Sequence, residues 1–263
     1  MTRSILFLHG WTMRGAVFDR LIARIGPDFD CHAPDMPGHA AAAHLPPTLD
    51  ACAEMIGEVL NALPDRKPLV VGWSMGAAAA WRYFARHGSA GIGGLVTVDM
   101  STHIVPAADW PHGLKGQTAE SVVQSTRRFR TDWDGATHGI AATMFATPEG
   151  APGFSREDAR SVILSQDPEK MRTMWDDLVA MDARALAPDL NLPWLVCSGA
   201  KSRVYPASAS DWIAQTAPNA TRHVFAASGH SPHLEEEEAF AQAIIDFAAG
   251  LNARTVRPRH PLP

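Results

Sequence analysis

Cysteine is scarce in this 263-residue chain, and positive charge is not in excess. The three cysteines, Cys31, Cys52 and Cys197, are odd in number and lack metal-ligand spacing, which excludes a disulfide framework and a closed zinc site. They read as reduced thiols, with Cys31 and Cys197 in apolar, strand-like runs where burial accounts for them. A net charge of −5 leaves no general attraction to nucleic acid or to anionic membranes. No apolar run is long enough to span a bilayer, and Met1-Thr2-Arg3-Ser4 passes directly into a strand without a signal-peptide pattern. The expected location is the cytoplasm. What the chain does have is 46% hydrophobic and 19% charged residues, with enough length to bury a full sheet between helices in one α/β domain.

The rest of the sequence is organised around Val70-Val71-Gly72-Trp73-Ser74-Met75-Gly76-Ala77-Ala78. Leu69 to Val71 reads as a buried parallel strand, and Ala77 to Arg86 as a helix that stops at Gly88. A serine hydroxyl is a poor nucleophile unless a base and a substrate reach it together. A sharp strand-to-helix turn achieves this by pushing Oγ clear of the backbone. Gly72 and Gly76 stand where a Cβ would collide with such a turn or with the packed helix behind it. Ser74 is therefore the candidate nucleophile.

Earlier in the chain, Ser4 to Leu8 is a first strand followed by His9-Gly10-Trp11. Ligands of open α/β sheets bind beyond the carboxyl ends of the strands, which puts Trp11 at the mouth of a site. Its backbone N–H and that of Met75, at the start of the elbow helix, are the expected oxyanion hole. Arg14 to Ile25 follows as a covering helix, then a strand from Asp30, and Leu49 to Leu63 as an amphipathic helix capped by Thr48. His9 reads as a structural histidine, and Asp35 as a turn aspartate bonded to local backbone.

His9-Gly10-Trp11, Asp35-Met36-Pro37-Gly38, Gly72-Trp73-Ser74-Met75-Gly76 and Gly229-His230-Ser231-Pro232 together resemble the α/β-hydrolase superfamily. Within it they are most similar to the pimeloyl-acyl-carrier-protein methyl ester carboxylesterases of biotin synthesis. The resemblance covers most of residues 4 to 248 and implies a mostly parallel sheet flanked by helices. It also implies a core of 1–102 and 188–250, and a helical cap, 103–187, inserted after the strand that ends at Asp99. The family's strand hairpin ahead of the first strand is expected to be shortened or absent, and 251–263 to be a disordered tail. Within the cap, Trp110, Phe129, Trp133, Met144, Phe145 and Trp175 are candidates to line an acyl pocket, although helical spacing suits cap core equally. A solvated helix face accounts for Arg127, Arg128 and Arg130. The resemblance adds a second role for them, since the carboxylesterases resembled dock an acidic acyl carrier protein against cap arginines.

The sheet resumes at Pro193 to Gly199 and ends with Arg222 to Phe225. His230 lies in the loop after that last strand, where the fold places its general base, and follows Ser74 in the required order. His233 is the weaker alternative. The acid breaks the pattern. The family loop Gly-x-x-Asp-x-x-x-Pro corresponds to Gly199 through Pro206, and Ser202 stands in the place of the aspartate. Asp99, at the end of the strand after the elbow helix, is the substitute, as in certain lipases and haloalkane dehalogenases of the superfamily. On this reading Asp99→Asn is costly and Ser202→Ala nearly silent.

The expected activity is a serine carboxylic-ester hydrolase. It needs neither metal nor organic cofactor and acts on small or medium acyl esters. The resemblance implies a pimeloyl-acyl-carrier-protein methyl ester. Two alternatives stay open: a cofactor-free lyase, perhydrolase or carbon–carbon hydrolase on the same scaffold, and a ligand-binding member with weak or no catalysis.

Overall fold

The computed structural model describes residues 3–255, without the side chains of 252–255. Strand β1 (Arg3–Leu8) leads through a 3₁₀ turn at Gly15–Phe18 into α1 (Asp19–Ile25) and β2 (Phe29–His32). Then come α2 (Leu49–Ala62), β3 (Leu69–Trp73), α3 (Met75–His87) and β4 (Gly94–Val98). An insert follows: α4 (Ala119–Thr131), α5 (Trp133–Thr143), a small hairpin of β5 (Gly150–Ala151) and β6 (Phe154–Ser155), α6 (Arg156–Leu164) and α7 (Pro168–Ala180). The sheet resumes with β7 (Trp194–Gly199), α8 (Ala207–Thr216) and β8 (Ala220–Phe225), and the described chain closes with α9 (Pro232–Glu235) and α10 (Glu237–Thr255).

Among the described residues the main sheet is six-stranded, ordered β2-β1-β3-β4-β7-β8, with every pairing parallel. Strands covered on both faces read as continuous apolar runs, because alternate side chains all meet helices. Leu6, Leu8, Val70, Leu95, Trp194 and Val196 join the core under α2, α3 and α8. Their neighbours Ile5, Phe7, Leu69, Val71, Val96 and Cys197 join the core under α1 and α10. The strand order reverses direction between β1 and β3, and a crevice opens at the carboxyl ends there. The loops after β1 and β3, carrying Trp11 and Ser74, border that crevice.

Close approach of α3 to the sheet explains the elbow glycines. A Cβ on Gly76 would lie 2.1 Å from the Leu8 carbonyl oxygen, and one on Gly72 would lie 2.6 Å from the Ala77 nitrogen. Ala77 to Ala80 are fully buried, so small side chains let the helix sit flat on the strands.

The insert is stitched to the core through Trp11. Its ring packs 5.3 Å from Phe129 and 5.0 Å from Trp175, centroid to centroid, and its Nε1–H donates to the Met171 carbonyl at 2.9 Å. Each insert helix has its own cap: Thr118 for α4, Asp132 for α5, Ser155 for α6 and Asp167 for α7.

Several elements differ from the sequence reading, the β5–β6 hairpin and α9 among them. The first helix is broken near Phe18 into a 3₁₀ turn and α1. Helix α5, which the sequence predicts over Gly139 to Phe145, begins at Trp133 because the Asp132 carboxylate accepts from the Gly135 N–H and starts it early. Helix α8 was unforeseen. Helix α10 runs on to Thr255, so 251–255 continue it rather than belonging to a tail, and 256–263 lie outside the described residues.

Candidate active site

Ser74 sits between β3 and α3 with φ 52° and ψ −116°, a left-handed backbone that few non-glycine residues adopt. The geometry is held by the Ser74 N–H donating to the Val98 carbonyl at 3.0 Å and by the Ser74 carbonyl accepting from Ala77 N–H at 2.9 Å. Thr12 and Asp99 also have positive φ, 66° and 46°, so three of the four such non-glycine residues described surround one crevice, and Ala40 is the fourth. Conformations of this kind cost on the order of 1–3 kcal/mol each and persist where neighbours over-determine them.

Asp99 follows β4 and is 4% exposed. Its Oδ2 accepts from His230 Nδ1 at 2.6 Å and from Ser202 Oγ at 2.6 Å. A carboxylate only accepts, so the Nδ1 proton of His230 is committed to Asp99 and Nε2 carries the lone pair. The His230 carbonyl is held by Trp73 Nε1–H at 2.8 Å, and its ring lies beside those of Trp73 and Tyr205.

Ser74 and His230 line a common cavity of about 310 Å³ whose wall includes Trp11, Ile104, Trp175 and Tyr205. Met75 is the first residue of α3, so its N–H has no intrahelical acceptor, while its side chain is buried in the core. Phe129 and Met144 line the cavity. Trp110 and Phe145 do not, and the pocket assignment made for them from sequence is corrected. Trp110 packs on Trp212 and under Arg184, with its Nε1–H on the His103 carbonyl at 2.7 Å. Phe145 is fully buried in the core under α1 and α10, next to Phe154. Trp133 packs on Trp11.

The three insert arginines diverge. Arg128 reaches the cavity wall and pairs with Asp132 at 3.3 Å, Arg130 pairs with Asp176, and Arg127 is exposed. Two cations that the sequence reading passed over, Lys115 and Arg203, also line the cavity. So did the acidic clamp on the His230 loop escape it. Glu235 accepts from the amides of Gly229 at 2.8 Å, Ser231 at 3.2 Å and Ala146 at 2.6 Å, and Glu236 accepts from Ala227 N–H and Ser228 Oγ. Burial pushes the Glu235 carboxyl up, against the pull of those three amides. Its signal was the acidic run Glu235 to Glu238 immediately after a glycine-histidine loop.

His9, His39 and His233 are structural. His9 bridges the Gly10 carbonyl and the Met36 amide, each at 2.9 Å, and His39 bridges the Pro37 carbonyl and the Thr12 amide. Asp35 ties two loops through the amides of Gly15 and Ala41. His233 is buried against Trp73, Phe18 and Phe240. Burial, aided by a neighbouring histidine, holds His9 and His233 at about 3, and burial alone lowers His39 to about 4. These folded-state values lie below the unfolded one. As pH falls below about 6.5 the unfolded chain therefore gains protons that the folded chain refuses, and each histidine removes about 1 kcal/mol of stability per pH unit until its folded pKa is reached. The urea midpoint is expected to drop clearly between about pH 7 and pH 5; an equal midpoint at both would contradict this.

Residues 3–237 match the family described as the alpha/beta hydrolase fold. The chain is 31% identical over 247 residues to the pimeloyl-[acyl-carrier protein] methyl ester esterase of Chromobacterium violaceum, spanning 92% of this chain and 93% of that one. It is 29% identical over 242 residues to the esterase of the same name from Nitrosomonas europaea, spanning 90% and 92%. Among solved structures, an esterase from Exiguobacterium antarcticum superposes with a TM-score of 0.85 at 20% identity, over 93% of this chain and 91% of that one. A bromoperoxidase from Bacillus anthracis superposes with a TM-score of 0.82 at 16% identity, over 95% and 92%. At such identities these two likenesses speak for the fold alone.

Proposed function

The chain belongs to the α/β-hydrolase fold family, and from that membership we propose a serine carboxylic-ester hydrolase that works through an acyl-enzyme on Ser74. One observation carries the reading: the 2.6 Å contact between His230 Nδ1 and Asp99 Oδ2, behind a histidine that shares a cavity wall with Ser74.

In this reading Nε2 of His230 takes the proton from Ser74 Oγ as Oγ attacks the ester carbonyl carbon, and Asp99 holds the tautomer and stabilises the imidazolium. Charge developing on the carbonyl oxygen is met by the amides of Trp11 and Met75, the latter at a helix N-terminus. Collapse expels the alcohol, which leaves with the proton from His230. Water, deprotonated by the same imidazole, then attacks the acyl carbon, and Ser74 Oγ recovers the proton as the acid departs.

The cavity wall is largely apolar, with Phe129, Met144, Trp175 and Ile104, and this suits a medium acyl chain. Residues 103–187 serve as a cap above it. Together with the names carried by the relatives, this favours the methyl ester of pimeloyl-acyl-carrier protein as substrate. Of the three arginines on α4, Arg127, which is exposed, is the one offered to an acidic carrier, since Arg128 and Arg130 are engaged by Asp132 and Asp176. Stopped-flow hydrolysis of p-nitrophenyl esters of increasing acyl length tests the chemistry. A burst of one equivalent, or steady turnover, is expected to peak at medium chains. A folded protein with neither, on any ester, would overturn the reading and favour a lyase or a binding protein.

A further inference from the structure

Ser202 occupies the position where the family loop carries its acid, yet it has not become an idle replacement. Strands β4 and β7 are neighbours, with Val98 opposite Cys197, and the Asp99 N–H donates to the Cys197 carbonyl at 2.9 Å. Ser202 lies one turn beyond β7, its own N–H on the Gly199 carbonyl at 3.1 Å, so the loop folds back over Asp99. Its Oγ–H donates to Asp99 Oδ2 at 2.6 Å, the same oxygen that receives His230 Nδ1–H. The hydroxyl oxygen in turn accepts from the amides of Val204 and Tyr205, each at 3.3 Å. Both lone pairs and the one proton of the hydroxyl are thus committed, and its rotor has a single setting. Lys115 Nζ, on the cavity wall, fixes the Ser202 carbonyl at 2.8 Å. Residue 202 is 3% exposed, so no water competes freely for these contacts.

We propose that Ser202 is a positioning residue of the hydrolytic machinery: through its hydroxyl, two loop amides hold the relocated acid Asp99 in the rotamer that faces His230 and take up part of its negative charge. The proposal rests on the esterase reading. Hydrogen bonds in a chain polarise one another in a low-dielectric interior, so the loop after β7 still acts on the histidine, by donation rather than by supplying the acid. Ser202 sets two quantities. It fixes where the carboxylate sits, which governs the imidazole's orientation. It also limits how strongly that carboxylate stabilises imidazolium, because charge shared with the hydroxyl is withheld from His230. The contact replaces the expectation from sequence that Ser202→Ala is nearly silent.

Ser202→Ala and Ser202→Thr, with Ser74→Ala as control, are to be assayed for kcat, KM, the pH profile of kcat/KM and melting temperature on one p-nitrophenyl ester. For Ser202→Ala the expected result is a fall in kcat of about tenfold with KM little changed. The acidic limb of its profile moves upward by about 0.5 pH unit, since a carboxylate freed of the hydroxyl favours the protonated, inactive imidazole. Ser202→Thr, which keeps the hydroxyl, restores the limb to its wild-type position. A limb unmoved in Ser202→Ala overturns the proposal, whether kcat is unchanged or has fallen together with the melting temperature as for a merely structural tie. So does a limb that the threonine variant fails to restore while it melts like wild type. Full turnover by Ser74→Ala would instead refute the esterase reading itself.

Discussion

Ser74→Ala is expected to lower kcat by about 10⁵ to 10⁶, leaving the melting temperature close to that of the wild type. Alanine removes the only atom in the elbow that bonds to the acyl carbon. What remains, the oxyanion amides and the cavity, can bind an ester and polarise it, but water must then attack from bulk. The fold should tolerate the change, because the strained turn is held by backbone bonds: the residue-74 N–H to the Val98 carbonyl and its own carbonyl to Ala77. Alanine at φ 52° costs no more than serine does there. Steady-state and burst kinetics on a p-nitrophenyl ester check this. Retention of more than about a hundredth of wild-type kcat would place the covalent step elsewhere.

Asp99→Asn is expected to lower kcat by about 10⁴ with little effect on KM, the size seen when the triad aspartate of serine proteases is neutralised. The direction follows from the two hydrogen bonds on Oδ2. Asparagine keeps both bonds only with its one oxygen at the Oδ2 position, and a neutral oxygen there no longer stabilises the imidazolium that forms when Nε2 takes the Ser74 proton. The flipped amide instead puts NH₂ against His230 Nδ1, which accepts only if the proton sits on Nε2, so the base is occupied before the reaction starts. KM is spared because Asp99 stands behind His230 and lines no part of the cavity wall. A variant within tenfold of wild type would mean that His230 works without an acid partner.

The sheet was legible in the sequence because strands buried on both faces read as near-continuous apolar runs, as Leu69 to Val71 does and as Leu95 to Val98 does but for Thr97, whose hydroxyl accepts from Trp194 Nε1–H. The elbow was legible for a related reason: Gly72 and Gly76 are demanded by contacts of 2.6 and 2.1 Å that would exist with any sequence in that turn. Helix α8 was not, since Ala207-Ser208-Ala209-Ser210 carries small residues with little apolar contrast and no side-chain cap. Within the insert, periodicity identifies an inward face without distinguishing core from cavity. Phe129 and Met144 turned out to line the cavity, whereas Phe145, one residue along, points into the sheet core. That Asp99 would lie within reach of His230 could be read from strand order, because β4 neighbours both β3 and β7. Its bond to Ser202 could not, since the two residues are 103 apart in sequence and meet only through the backward fold of the loop after β7.

Covalent labelling tests the central claim most directly. A p-nitrophenyl alkylphosphonate traps an activated serine as a stable tetrahedral adduct, with release of p-nitrophenol, and intact mass followed by peptide mapping locates it. The account predicts one adduct per chain, on Ser74, formed at a rate that collapses in the Asp99→Asn variant. Modification of a residue other than Ser74, or no adduct in folded protein after prolonged exposure, would contradict it.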